Sequence, residues 1–180
     1  MSPPSTNLAK DPVLFSRHVW RCAHALGGTD PAAAIDGSVA AAGAALHAAN
    51  AGLWVAEDAV RDRALPDAAV VALKRQIDHA NLERHGHIAA LDGLVDAGFP
   101  PQRPLADPEA VVDSQSVGQV FDRLSVLALK IEAHRPDATR LRALEARRGH
   151  LLRCLARVLD ALAEGRGVPQ RVDEAKTYGA

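Results

Sequence analysis

Proline and aspartate meet at Asp11-Pro12, Asp30-Pro31, Pro66-Asp67 and Pro136-Asp137, and each meeting heads a long stretch with helical apolar spacing. An aspartate just outside a helix accepts hydrogen bonds from its free N–H groups, and proline is pre-shaped for the first turn. This punctuation predicts helices over about 11–26, 30–65, 66–98 and 136–165, the first stopped by Gly27-Gly28 and the last by Gly165. A further helix is expected over Val117–His134, with Ser114 or Ser116 as its cap. Between them, Phe99 to Pro108 holds four prolines in ten residues, which excludes a regular helix. The fold expected is therefore all-α: one bundle of about five long antiparallel helices spanning residues 11–165, with a proline-rich crossover at 99–108. Residues 1–10 read as a disordered lead-in and 166–180 as a flexible tail, and no strand pattern is found.

Composition agrees with close-packed helices. Apolar residues make up 48% of the 180, yet aromatics are only 3%, so alanine carries much of the apolar content. Alanine favours helix and lets backbones approach closely. In the fifth helix Leu141, Leu144, Leu151, Leu152, Leu155, Val158, Leu159 and Leu162 form a core stripe. A formal net charge of −1 offers no field for nucleic acid or an anionic membrane, so neither is expected as a partner. Arg142, Arg147, Arg148 and Arg153 share a face only in part and are balanced by nearby acids. No unbroken apolar run approaches the roughly 20 residues of a bilayer span, and no basic-then-apolar leader opens the chain. A cytoplasmic protein is expected. Cys22 and Cys154 lie far apart and read as two buried thiols.

Three stretches break the pattern of polar outside and apolar inside. On a helix with about 100° per residue, His47, Asn50, Trp54, Glu57, Asp58 and Arg61 fit an arc of about 100°. A solvated face would carry longer Lys, Glu and Arg side chains, so this stripe suggests a polar site between helices. In the next helix Lys74, Asp78, Asn81 and His85 recur at helical intervals and share an arc with Ile77 and Ile88, with Arg84 at its edge. An exposed face with i,i+4 charge pairs would account for Lys74 and Asp78, but less well for Asn81 and the isoleucines. The third stretch, Val117–Ile131, is apolar on every side, as in a buried helix. Asp122 and Arg123 must then be paired, and Arg123, Lys130 and His134 fall within about 60° of one another. Glu57, Asp58 and Asp78 are the expected carboxylate partners of that basic line.

The same three stretches, LHAANAGLWVAEDAVR, KRQIDHANLERHGHIAALD and SVGQVFDRLSVLALKI, resemble a bacterial all-helical family catalogued only as a domain of unknown function. Its hallmarks are LHxxNxxLWxxED, KxxIDxxNxxR and DRLSxLxLKIxH, and the likeness runs over roughly residues 40–135. It places His47, Asn50, Trp54, Glu57, Asp58, Arg61, Asp78, Asn81, Arg84, Asp122, Arg123, Lys130 and His134 in the motifs. The resemblance implies a helical bundle and a link to biosynthetic gene neighbourhoods, often saccharide-related, but no established reaction. His85-Gly86-His87 departs from the usual polar run after Arg84.

Specific chemistries can be weighed against these residues. A di-metal carboxylate centre needs Glu-x-x-His pairs, and none is present: Glu83 and His87 are four apart. A single metal held by His47 with Glu57 or Asp58 stays open. There is no nucleophile elbow, phosphate loop or dinucleotide fingerprint, so no cofactor is expected. The expectation is a small-molecule biosynthetic enzyme with an inter-helical charged pocket, acting by acid–base or electrostatic catalysis on an anionic or sugar-like metabolite. Glu57 or Asp58 would be the base and His47 a proton relay, with Arg123 and Lys130 as anion clamp. Trp54 would form an apolar wall, while Asn50 and Asn81 orient the substrate, with Arg61, Asp78, Arg84, Asp122 and His134 around it. The alternative is a non-catalytic helical scaffold or oligomeric partner protein whose buried ion-pair network fixes register. A homodimer is expected under either reading, because alanine-rich helices can pack across a two-fold axis.

Overall fold

The computed structural model describes residues 11–26, 38–102, 111–112 and 114–168. Five helices follow one another: α1 (Pro12–Ala25), α2 (Ser38–Ala59), α3 (Asp67–Gly98), α4 (Val117–Ala133) and α5 (Ala138–Ala163). Their ends are made by the residues that the sequence marks. Asp11 accepts from the N–H groups of Val13 and Leu14, and Asp137 from those of Thr139 and Arg140. Ser116 and Gln119 form a reciprocal capping box at the head of α4. At the far end of α5, Gly165 adopts a φ of 68°. The Arg166 N–H bonds to the Ala161 carbonyl at 2.9 Å and the Gly165 N–H to Leu162 at 3.1 Å. This is a Schellman stop, and only glycine takes that φ without a Cβ penalty.

The second helix departs from expectation. It ends at Ala59, six residues before Leu65, and 60–66 form turns. Pro66 disfavours helical geometry in the residue before it and offers no N–H. Asp62 completes the break, its side chain accepting from the Ala64 N–H at 2.9 Å. The expected Gly27-Gly28 stop, the Asp30-Pro31 start, the lead-in 1–10 and most of the crossover lie outside the described residues. A second departure is a parallel ladder pairing Val111–Val112 (β1) with Gly167–Val168 (β2). Two-residue strands are too short to show alternation, and they engage the first part of the segment expected to be loose.

The hairpin of α2 and α3 packs along its length, α1 packs on α5, and α4 touches α2, α3 and α5, so it joins the two halves. The main core is closed by Phe121, Leu46, Leu91, Leu124, Leu155, Leu159, Val19 and Val95, all essentially inaccessible. A satellite apolar cluster of Leu53, Ala56 and Ile77 lies further along the α2–α3 hairpin. Gly118 sets how closely α4 approaches α3: a Cβ there would lie 2.4 Å from the Ile88 carbonyl oxygen. Its N–H donates to the buried Asp92 of α3 at 2.7 Å, placing a carboxylate at the positive end of α4. Val39–Ala59 is long and apolar enough to cross a membrane by length and composition. Its alanines keep the mean hydropathy high, while His47 and Asn50 interrupt it as an apolar run. Of the two thiols only Cys22 is buried, and burial pushes it up to about 11. Cys154 is half-buried, between His150 and Arg157.

Candidate functional site

Where the main core gives way to the satellite cluster, α2, α3 and α4 bring polar side chains together. Asp122 is buried, and Arg84 reaches it from α3 as a two-pronged ion pair, Nε to Oδ1 at 2.7 Å and Nη2 to Oδ2 at 2.5 Å. Side-on guanidinium–carboxylate geometry of this kind is the strongest form of the pair. Its hydrogen bond and charge raise the Arg84 pKa further, against the burial that would lower it. Asn50, 4% exposed, spends both amide hydrogens within the network: Nδ2 donates to Asp122 Oδ1 at 3.0 Å and to Ser125 Oγ at 3.1 Å. With an amide hydrogen arriving at its oxygen, Ser125 can direct its own O–H to His47 Nδ1, 2.9 Å away. That assignment makes His47 the neutral Nε2–H tautomer. Burial lowers its pKa and favours the same neutral form.

Beside this chain of hydrogen bonds lies a cavity of about 280 Å³. Asn50, Leu53, Trp54, Glu57, Asp58 and Arg61 line it from α2, Asn81 and Arg84 from α3, and Val126 and Leu129 from α4. Asp58 and Arg61 form an exposed rim and pair with each other at 2.9 Å. Glu57 is half-buried and has no hydrogen bond or ion pair among the described residues. It is the one lining carboxylate whose oxygens are uncommitted.

Eight of the expected site residues thus converge: Asn50, Trp54, Glu57, Asp58, Arg61, Asn81 and Arg84 at the cavity and Asp122 behind it. His47 joins through Ser125 and is not part of the lining. The basic line of α4 does not converge. Arg123 and Lys130 are exposed, and His134 ends the helix, its Nδ1 2.8 Å from the Lys130 carbonyl. The reason is angular. Arg123 is one residue, about 100°, beyond Asp122, so turning Asp122 inward carries Arg123 outward, with Lys130 and His134 on the same arc. Asp122 is paired across the interface with Arg84, not with its neighbour, and the carboxylate of Asp58 goes to Arg61. Asp78 is exposed. The apolar residues on the second side of α4, Val126 and Leu129, face the cavity. Ser125, fully buried, is a participant that the sequence reading passed over. Its signal was a hydroxyl three residues after Asp122, on the same helix face. No group of three or more His, Cys, Asp or Glu that could hold a metal occurs among the described residues.

Fold and site together define an all-α bundle with a charge-lined cavity between three helices, braced by a buried ion pair. Residues 41–170 match the model of a family described as a protein of unknown function (DUF4254), and the chain belongs to that family. No curated protein and no solved structure matches.

Proposed function

We propose that the cavity is the active site of a small-molecule enzyme that works by acid–base chemistry on a polar, sugar-like metabolite, with Glu57 as base. The observation that carries this reading is Glu57 itself, a half-buried carboxylate with free oxygens in a cavity whose other lining carboxylate, Asp58, is engaged. A buried ion-pair network has no use for such a group, whereas a proton acceptor requires one. Asn81 and the Nη1 of Arg84, which Asp122 leaves unused, are donors positioned to orient a ligand. Trp54 with Leu53, Val126 and Leu129 supplies the apolar wall. His47, Ser125 and Asp122 stand behind the lining and hold Arg84 in place, while Asn50 braces Asp122 and also lines the cavity. The anionic side of the expected substrate range loses its clamp, because Arg123 and Lys130 lie outside the cavity. The cavity is at the small end of metabolite sites, which suits a single ring.

The scaffold reading draws on a different observation: the hydrogen bonds running from His47 through Ser125, Asn50 and Asp122 to Arg84 tie three helices together. The two readings separate on the purified protein. Native mass spectrometry should find a retained small molecule on the wild type that is absent from Glu57→Gln, with both proteins melting alike. No retained molecule under gentle desolvation, with unaltered assembly in Glu57→Gln, would favour the scaffold.

A further inference from the structure

Five ionised groups surround the cavity or stand directly behind it, and their charges do not cancel. Glu57, Asp58 and Asp122 are carboxylates; Arg61 and Arg84 are the cations. Arg84 is paired with Asp122 by two bonds, and Arg61 with Asp58 by one exposed bond at the rim. What remains is the carboxylate of Glu57, half-buried, with Trp54 one helical turn before it on α2 and lining the same cavity. An anion entering here would meet a net negative charge of three carboxylates against two guanidiniums, with one carboxylate uncompensated. A protonated amine would meet a counter-charge and an indole, whose electron-rich face attracts cations.

We propose that the ligand of this cavity carries a protonated amine, held between the Glu57 carboxylate and the Trp54 indole. Its hydroxyl or carbonyl oxygens are taken by Asn81 and the unused Nη1 of Arg84. This inference rests on the cavity being a ligand site and adds the charge of what it binds; the proton that Glu57 accepts as base is then one of the ammonium's own. The polar donors lie on α3 and the carboxylate and indole on α2, so the ligand bridges the hairpin with its amine end toward α2. Val126 and Leu129 contribute apolar contact from α4 without adding charge.

Glucosamine, glucose and glucuronate present one ring with charge +1, 0 and −1, and at pH 7 their binding isolates the charge term. Titration followed by the ¹⁵N–¹H resonances of the Trp54 indole should rank them in that order. Glucosamine should bind at least about tenfold more tightly than glucose and weaken as salt is added. In Glu57→Gln the advantage of glucosamine over glucose should shrink to within a factor of about two, and Trp54→Leu, which lacks the indole probe and is followed by titration calorimetry, should weaken glucosamine several-fold. Glucuronate binding best, or Glu57→Gln preserving the order, overturns the amine assignment while leaving the cavity a ligand site. If none of the three moves the indole resonance and native mass spectrometry finds no retained molecule, the cavity reading fails along with it. A retained native metabolite without an amine overturns the amine assignment alone.

Discussion

The two halves of the α2–α3 hairpin do different work. Toward the ends that meet α1, Leu46, Ile88, Leu91 and Val95 join a continuous apolar core with Phe121, Leu124 and Leu155. Toward the α2–α3 turn, apolar packing thins to Leu53, Ala56 and Ile77, with Val60 and Ala80 beside them. At the border between the two, Asn50, Arg84, Asp122 and Ser125 replace apolar contact with hydrogen bonds. A small apolar cluster cannot fill the space between three helices, and the cavity occupies what it leaves open. The comparison teaches where each kind of residue is needed: oily volume sets stability at one end, and directional bonds hold a gap open at the other.

The largest effect should come from emptying the apolar end. Phe121→Ala removes a fully buried ring and should cost about 3–5 kcal/mol in urea unfolding. If the loss is much smaller, the core is not the dominant source of stability and the contrast collapses. Asp122→Ala attacks the border. It leaves Arg84 facing Asn50 without a counter-charge, and because the Arg84 side chain is 28% exposed water can reach it. The cost should therefore fall to about 2 kcal/mol, below that of a fully buried pair. Loss of ligand retention should accompany it, since Arg84 would be free to move, while Phe121→Ala examined below its melting transition should keep the site.

The contrast between the ends was partly legible in the chain. Asp11, Ser116, Asp137 and Gly165 announce helix ends through local chemistry, and local chemistry survives folding unchanged. The α2 stripe was legible too, because His47, Asn50, Trp54 and Glu57 together cannot be a solvated face. The orientation of α4 was not. Periodicity reports which residues share an arc, but α4 has apolar residues on two sides, one facing the core and the other the cavity, so either basic or acidic positions could have pointed in. Only packing against Arg84 decides that Asp122 is the buried charge and Arg123 the solvated one. The turn at 60–66 was missed for a related reason: alanine and leucine continue a helical pattern that Asp62 and Pro66 end through their backbones.

Acid should loosen the border through His47 and the apolar half through His18. Burial holds the folded-state pKa of His47, and of the buried His18 in α1, below the ordinary 6.5, with Arg21 lowering His18 further. The unfolded chain then takes up protons more readily than the folded one. Stability is complete above about 6.5, falls as the pH drops through that value, and stops falling once the folded histidines also protonate. A proton on His47 Nδ1 would also displace the Ser125 hydroxyl hydrogen that points at it. The urea midpoint should be lower at pH 5 than at pH 7.5, by less than the Asp122→Ala loss. His47→Gln should flatten part of that slope, with His18 retaining the rest. An unchanged slope in His47→Gln would place the whole effect on His18, in the apolar half.

The smallest expected effect on stability is the sharpest test of the comparison. Glu57 lines the cavity, makes no bond to the network and touches neither apolar cluster as a member. If the open end of the hairpin were held together by charge, Glu57→Gln would shift the unfolding curve, because it removes one of three carboxylates from a group with two guanidiniums. If instead directional bonds brace the gap and Glu57 is reserved for a ligand, the substitution should leave stability within about 0.5 kcal/mol of wild type. An increase is the more informative deviation, since relief of an unpaired carboxylate is what a site kept under electrostatic tension for binding would give. A loss of 2 kcal/mol would make Glu57 part of the brace, and the distinction between the hydrogen-bonded network and the cavity beside it would disappear.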